Sequence, residues 1–140
     1  PERLSELMTD NKTPKEQIAY ICGTETDTVR RWLKGDRLIT LKHLLPIVEF
    51  FNCSFDFILG RSDHILNFTP QACPPFYEQI QEVLKICGKT KYKMKRDIQI
   101  YDSYYTNWKS GKSPHILTLN KIADYLGCTV DNLVGREKIE

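Results

Sequence analysis

No run in this chain is long and apolar enough to cross a membrane: Glu49 interrupts the most apolar stretch, Leu44 to Phe51, far short of the roughly 18 residues a span requires. No membrane partner is expected. The start, Pro1 to Asp10, lacks the basic segment and apolar centre of a secretory signal. Five cysteines, at 22, 53, 73, 87 and 128, are odd in number and contain no Cys-x-x-Cys pair, which argues against a disulfide framework and a zinc ribbon and makes a cytoplasmic setting the expectation. His43, His64 and His115 stand apart, and Cys22, Cys53, Cys87 and Cys128 fall in apolar positions, so no metal site is expected. There is no Gly-rich phosphate loop, paired carboxylate motif or His-Glu-x-x-His. Catalysis has no candidate, and no cofactor is called for. Runs of alternating β-branched residues are also missing, so no sheet is assigned.

What is present is an ordinary globular composition, 41% hydrophobic and 27% charged over 140 residues, which excludes a disordered or collagen-like chain. Charge divides unevenly. Residues 1–70 hold 9 Lys and Arg against 10 Asp and Glu, whereas residues 71–140 hold 11 against 8, so a polyanion should favour the second half.

A repeat underlies that division. Arg31-Trp32-Leu33-Lys34-Gly35 aligns with Asn107-Trp108-Lys109-Ser110-Gly111 at an offset of 76, and the segment Cys53 to Arg61 aligns with Cys128 to Arg136 at an offset of 75. Two matched patterns in the same order imply an internal duplication. We divide the chain into a first domain over 1–62, a linker over 63–73 and a second domain over 74–140.

Each copy reads as helices. Thr13-Pro14-Lys15-Glu16 has the form of a capping box with Pro at the first helical position. Pro74-Pro75 opens an amphipathic run, Phe76, Ile80, Val83, Leu84 and Cys87, closed by Gly88. Leu44, Ile47, Val48 and Phe51 form another, matched by Leu119, Ile122, Ala123 and Leu126. Short capped turns follow, Ser54 to Leu59 and Thr129 to Val134, stopped by Gly60 and Gly135. The fold class expected is all-α, with five helices per copy. Domains this small bury only about 60% of their unfolded-chain surface, so packing of the copies on each other or a homodimer is compatible with the sequence.

Glu16 to Trp32 has the logic of two helices crossing at a tight turn: Ala19 is small where the second helix approaches, Gly23 supplies a positive φ, and Ile18, Val29 and Trp32 face inward. These residues match the pattern of the lambda-repressor and Cro-like helix-turn-helix family, which the whole five-helix unit resembles in both copies. In the second copy Lys95 stands in the small-residue position and Gln99 in that of the turn glycine, while Met94, Ile98, Ile100, Tyr105 and Trp108 keep the buried ones.

The resemblance implies a sequence-specific regulator of bacterial or phage type, whose second helix of the pair reads double-stranded DNA in the major groove. Carried onto this chain, the exposed positions are Glu25, Thr26, Asp27, Arg30, Arg31 and Lys34 in the first copy. In the second they are Tyr101, Asp102, Ser103, Tyr104, Thr106, Asn107 and Lys109, with Lys112 just beyond. Arg can fork onto guanine, Asn can pair with adenine, and a carboxylate can accept from cytosine. Lys89, Lys91, Lys93, Lys95 and Arg96 form a basic run suited to phosphates, among which Lys91 and Lys93 are the expected contacts. At 100° per residue that run splits into Lys89, Lys93 and Arg96 on one side and Lys91 and Lys95 on another.

Two readings follow: a DNA-binding regulator, either a repressor or the antitoxin of a toxin pair, and a non-catalytic interaction module that kept the fold. Modest net charge, with Glu25 and Asp27 at a DNA-facing helix start, speaks for the second, and charge ranks copy two as the stronger DNA binder. No effector ligand is indicated.

Overall fold

The computed structural model describes residues 2–139, and among them every regular element is an α-helix. Two compact units divide the chain, Pro1–Asn67 and Phe68–Glu140. Unit one contains α1 (Glu2–Asp10), α2 (Lys15–Cys22), α3 (Thr26–Lys34), α4 (Leu41–Phe51) and α5 (Phe55–Ile58). Unit two contains α6 (Phe76–Ile86), α7 (Lys91–Ile98), α8 (Asp102–Lys109), α9 (Ile116–Leu126) and α10 (Val130–Val134).

Unit one closes around Leu4, Ile18, Val29, Trp32, Leu44, Ile47 and Phe55, all essentially excluded from solvent. Burying each aliphatic side chain contributes about 1.5 to 3 kcal/mol, which is what holds together short helices that would not persist alone. Between α2 and α3, Ala19 lies buried at the crossing and Gly23 adopts φ 65°. The amide of Thr24 donates to the Ala19 carbonyl at 2.9 Å and that of Gly23 to Tyr20 at 3.2 Å, the paired bonds that terminate a helix on a left-handed residue.

Unit two buries Ile80, Val83, Met94, Ile100, Tyr105, Trp108, Leu119 and Leu133. Its corresponding turn has no glycine. Gln99 takes the left-handed conformation itself, φ 59°, and its amide donates to the Lys95 carbonyl at 3.0 Å in the simpler single-bond ending. Lys95 is exposed, so nothing small sits at that crossing; α7 packs on α9, whereas in unit one α2 packs on α3 and α4.

The shared Asp-x-x-x-Gly-Arg segment has a structural reason. In unit one the amides of Arg61 and Ser62 donate to the Asp56 carbonyl, and the Arg61 guanidinium returns to the Asp56 carboxylate at 3.0 Å. In unit two Arg136 and Glu137 donate to the Asp131 carbonyl, and Arg136 lies 3.6 Å from the Asp131 carboxylate, both side chains fully buried. Gly60 and Gly135, at φ 76° and 84°, reverse the chain so that the arginine can reach back.

Two expectations need correction. Thr13 does not cap α2: Pro14 occupies the position before the helix, no side chain caps it, and the Thr13 hydroxyl donates to the Asn11 carbonyl at 3.4 Å. The helix begins one residue later than a Pro-first start requires. Ile98 is only half-buried, because it ends α7 beside the Gln99 turn. Residues of the 63–73 segment are held by their own units: Ile65 accepts from the Ser54 amide at 2.7 Å, and Gln71 donates through its amide to the Arg136 carbonyl at 2.8 Å. Hydroxyl caps come instead from Ser54, Thr90 and Thr129, which accept from the Phe57, Lys93 and Asn132 amides.

Candidate nucleic-acid interface

Tyr105 and Trp108 turn one side of α8 into the core of unit two, their rings 5.0 Å apart. At 100° per residue the opposite side carries Ser103, Thr106 and Asn107, and all three are exposed. Asp102 and exposed Tyr101 stand at the helix start. The Thr106 hydroxyl donates to the Asp102 carbonyl at 3.2 Å, leaving Ser103 and Asn107 as the freer polar groups of that face. Two predicted residues turn away from it. Tyr104 is half-buried with its ring 5.8 Å from Trp108, and the Lys109 ammonium lies 5.9 Å above the ring of Tyr77 on α6.

The basic run at the start of α7 divides by helical geometry. Lys91 and Lys95 both reach Asp102, at 3.8 and 3.6 Å, and Lys91 also sits 4.3 Å over the Tyr105 ring. On the other side Arg96 donates to Asp97 at 3.0 Å, Tyr125 donates its hydroxyl to the same carboxylate at 2.7 Å, and Lys89 lies 5.3 Å over the Tyr125 ring. The Tyr125 bond first, and Arg96 next, hold the Asp97 carboxyl below its ordinary range. Lys93 and, after the helix, Lys112 are exposed. The α7 N-terminus, capped by Thr90, adds partial positive charge at the same end as Lys91 and Lys93.

Unit one presents a different surface at the corresponding place. Val29 and Trp32 face inward from α3, and Asp27, Arg30, Arg31 and Lys34 face out, with Thr26 half-buried at the start and Glu25 exposed before it. Arg30 donates to the Asp27 carboxylate at 2.6 Å and Arg31 lies 3.1 Å from its other oxygen. The Arg30 hydrogen bond is the main reason the Asp27 carboxyl sits below its ordinary value. Both arginines expected at DNA thus share one carboxylate.

The sequence alone marks Asp102 only as a DNA-facing position and leaves its anchoring of two lysines unseen. Lys91 and Lys95, four residues apart and so on one face of α7, with an acid opening the next helix, are the available signal. Equally unseen is the Tyr105 hydroxyl, which is buried without a hydrogen-bond partner among the described residues; burial raises its pKa to about 12. The described residues hold no cluster of three His, Cys, Asp or Glu side chains that could bind a metal, and no helix long and apolar enough to cross a membrane.

Comparison with curated proteins and with solved structures finds no match. Residues 79–138 match the family model of the Cro/C1-type HTH DNA-binding domain, one copy that lies within unit two, spans α7 to α10 with most of α6, and supports DNA binding by this chain.

Proposed function

We propose that the chain is a transcriptional regulator of the repressor kind that recognises double-stranded DNA, with α8 lying in the major groove. One observation carries this reading most directly: the outward face of α8 leaves Ser103 and Asn107 exposed for base edges, and Lys93 and Lys112 are exposed within the same segment that matches a DNA-binding family. Asn107 is the best base reader because an amide pairs with adenine in two bonds, whereas the lysines contribute affinity without sequence preference. Ordinary side chains suffice for this chemistry, and no cofactor or metal enters it.

The repeat supports a second helix-turn-helix unit in residues 1–62, with α3 in the place of α8. Its weight in DNA binding is smaller, because Asp27 engages Arg30 and Arg31 and leaves Lys34 as the uncommitted cation of that face. The same acid favours a protein-binding role for that unit over a phosphate-binding one.

Selection from a randomised duplex pool by the full chain tests the proposal. A recurrent sequence should emerge, and Asn107→Ala should relax the preference at one base pair by about 1 to 3 kcal/mol. An unenriched pool would reject sequence recognition.

A further inference from the structure

A groove of about 370 Å³ opens in unit two between α6, the start of α7 and α8. Leu84 and the rings of Tyr77 and Tyr105 form apolar walls, Gln81 supplies an amide, and Lys85, Lys89 and Lys91 stand around the opening. No carboxylate lines it among the described residues. Tyr105 is 4% exposed, and its hydroxyl has no partner among them. A buried hydroxyl ordinarily finds a partner, so this one marks a place where a ligand acceptor would be stabilised. The nearest cation, Lys91, covers the same ring.

Unit one has a groove at the same place in its own fold. Ser5, Met8, Thr9, Thr13 and Lys15 line it, and each precedes by 76 residues its counterpart Gln81, Leu84, Lys85, Lys89 or Lys91. The shape therefore belongs to the five-helix arrangement, while the charge differs in degree: Lys12, Lys15 and Glu16 line the first groove, and three lysines with no acid line the second. Thr9 and Thr13 give way to lysines, and Glu16, which lines the first groove, has no acidic counterpart in the second.

We propose that the groove of unit two binds a small organic anion with a flat apolar body. The body lies against Leu84 and the tyrosine rings. The anionic head meets Lys85, Lys89 and Lys91 and accepts from the Tyr105 hydroxyl once Lys91 leaves both the ring and the Asp102 carboxylate for the ligand. Binding there is independent of DNA recognition and can be measured without DNA. Nucleic-acid phosphate offers the same charge without the flat body, so the apolar part of the ligand is what distinguishes the two.

An amide NMR titration of the full chain with phenyl phosphate, paralleled by inorganic phosphate, tests it. Phenyl phosphate should produce saturating shifts centred on Gln81, Leu84, Lys85, Lys91 and Tyr105, and inorganic phosphate should bind about tenfold more weakly or worse. A Lys85→Ala, Lys89→Ala double variant should weaken phenyl phosphate by about tenfold with the unit-one amides unmoved. Tyr105→Phe, which keeps the ring, should weaken it by a few-fold. Equal responses to the two phosphates would reduce the groove to a general anion contact and overturn the proposal. Shifts that fail to saturate, or that persist unchanged in the double variant, would overturn it as well.

Discussion

The Asp27 carboxylate accepts a hydrogen bond from the Arg30 guanidinium at 2.6 Å while facing Arg31 at 3.1 Å, so one acid engages both arginines on the outward side of α3. Exposed pairs of this kind are weak, but they compete directly with phosphate for the same guanidinium groups. Asp27→Asn removes the competitor and one negative charge. Binding of the full chain to random duplex should tighten, and its salt dependence should steepen by up to about one slope unit for each additional phosphate neutralised. An unchanged slope would mean that α3 does not approach DNA.

The α2–α3 and α7–α8 turns predict substitutions of opposite sign. Gly23 and Gln99 occupy the same left-handed region, φ 65° and 59°. A Cβ on Gly23 would meet no atom within 4 Å, so Gly23→Ala carries only the conformational penalty, about 1 to 2 kcal/mol. Gln99→Gly relieves that penalty in unit two and should stabilise it by up to about 1 kcal/mol. Denaturant midpoints read both, and a loss on Gln99→Gly would show that its side chain holds the turn.

Gly60, two residues beyond α5, and Gly135, the cap of α10, have similar φ, yet their surroundings differ. A Cβ at Gly60 meets open space, whereas at Gly135 it would come within 2.7 Å of the Pro74 ring and 2.8 Å of Gln79. Gly135→Ala should therefore cost more than Gly60→Ala, by about 1 to 3 kcal/mol of overpacking added to the shared backbone strain. Equal losses in thermal denaturation would show that Pro74 yields freely.

His43 gives unit one a pH dependence. The ring lies 5.3 Å from that of Trp32, and burial first, then Lys42 and Arg37, holds its pKa below the ordinary 6.5. The folded state keeps the imidazole neutral while the unfolded chain takes up its proton, so this contribution to stability is present above the ordinary pKa and is lost as pH falls from there through the folded value. An NMR titration should place the His43 midpoint below 6.5, and the melting temperature should fall between about pH 7 and pH 5 less steeply in His43→Gln than in the parent. A midpoint at or above 6.5 would contradict the burial argument.

Local chemistry is legible where a residue acts within its own turn. Ser54 and Thr129 cap the helices that follow them, and Ile18, Val29, Trp32 and Trp108 are buried at the spacing the helical period demands. Thr13 misleads because its own segment satisfies the capping pattern, while the backbone lets Pro14 take the position before the helix. The interface is only partly legible for a different reason. Long side chains choose partners across helices: Lys91 and Lys95 go to Asp102, Lys109 goes over Tyr77, and the unpartnered Tyr105 hydroxyl emerges only when α6, α7 and α8 are assembled around it. No local pattern encodes those choices.

The most direct test of DNA binding through unit two is the affinity of the full chain for a random duplex, by fluorescence anisotropy, as salt is raised. The parent should lose affinity steeply, Lys93→Ala with Lys112→Ala should flatten the log–log slope by up to about two units, and Asn107→Ala should leave the slope unchanged. Absence of binding at low salt, or a slope that the lysine substitutions do not move, would contradict DNA binding through this unit.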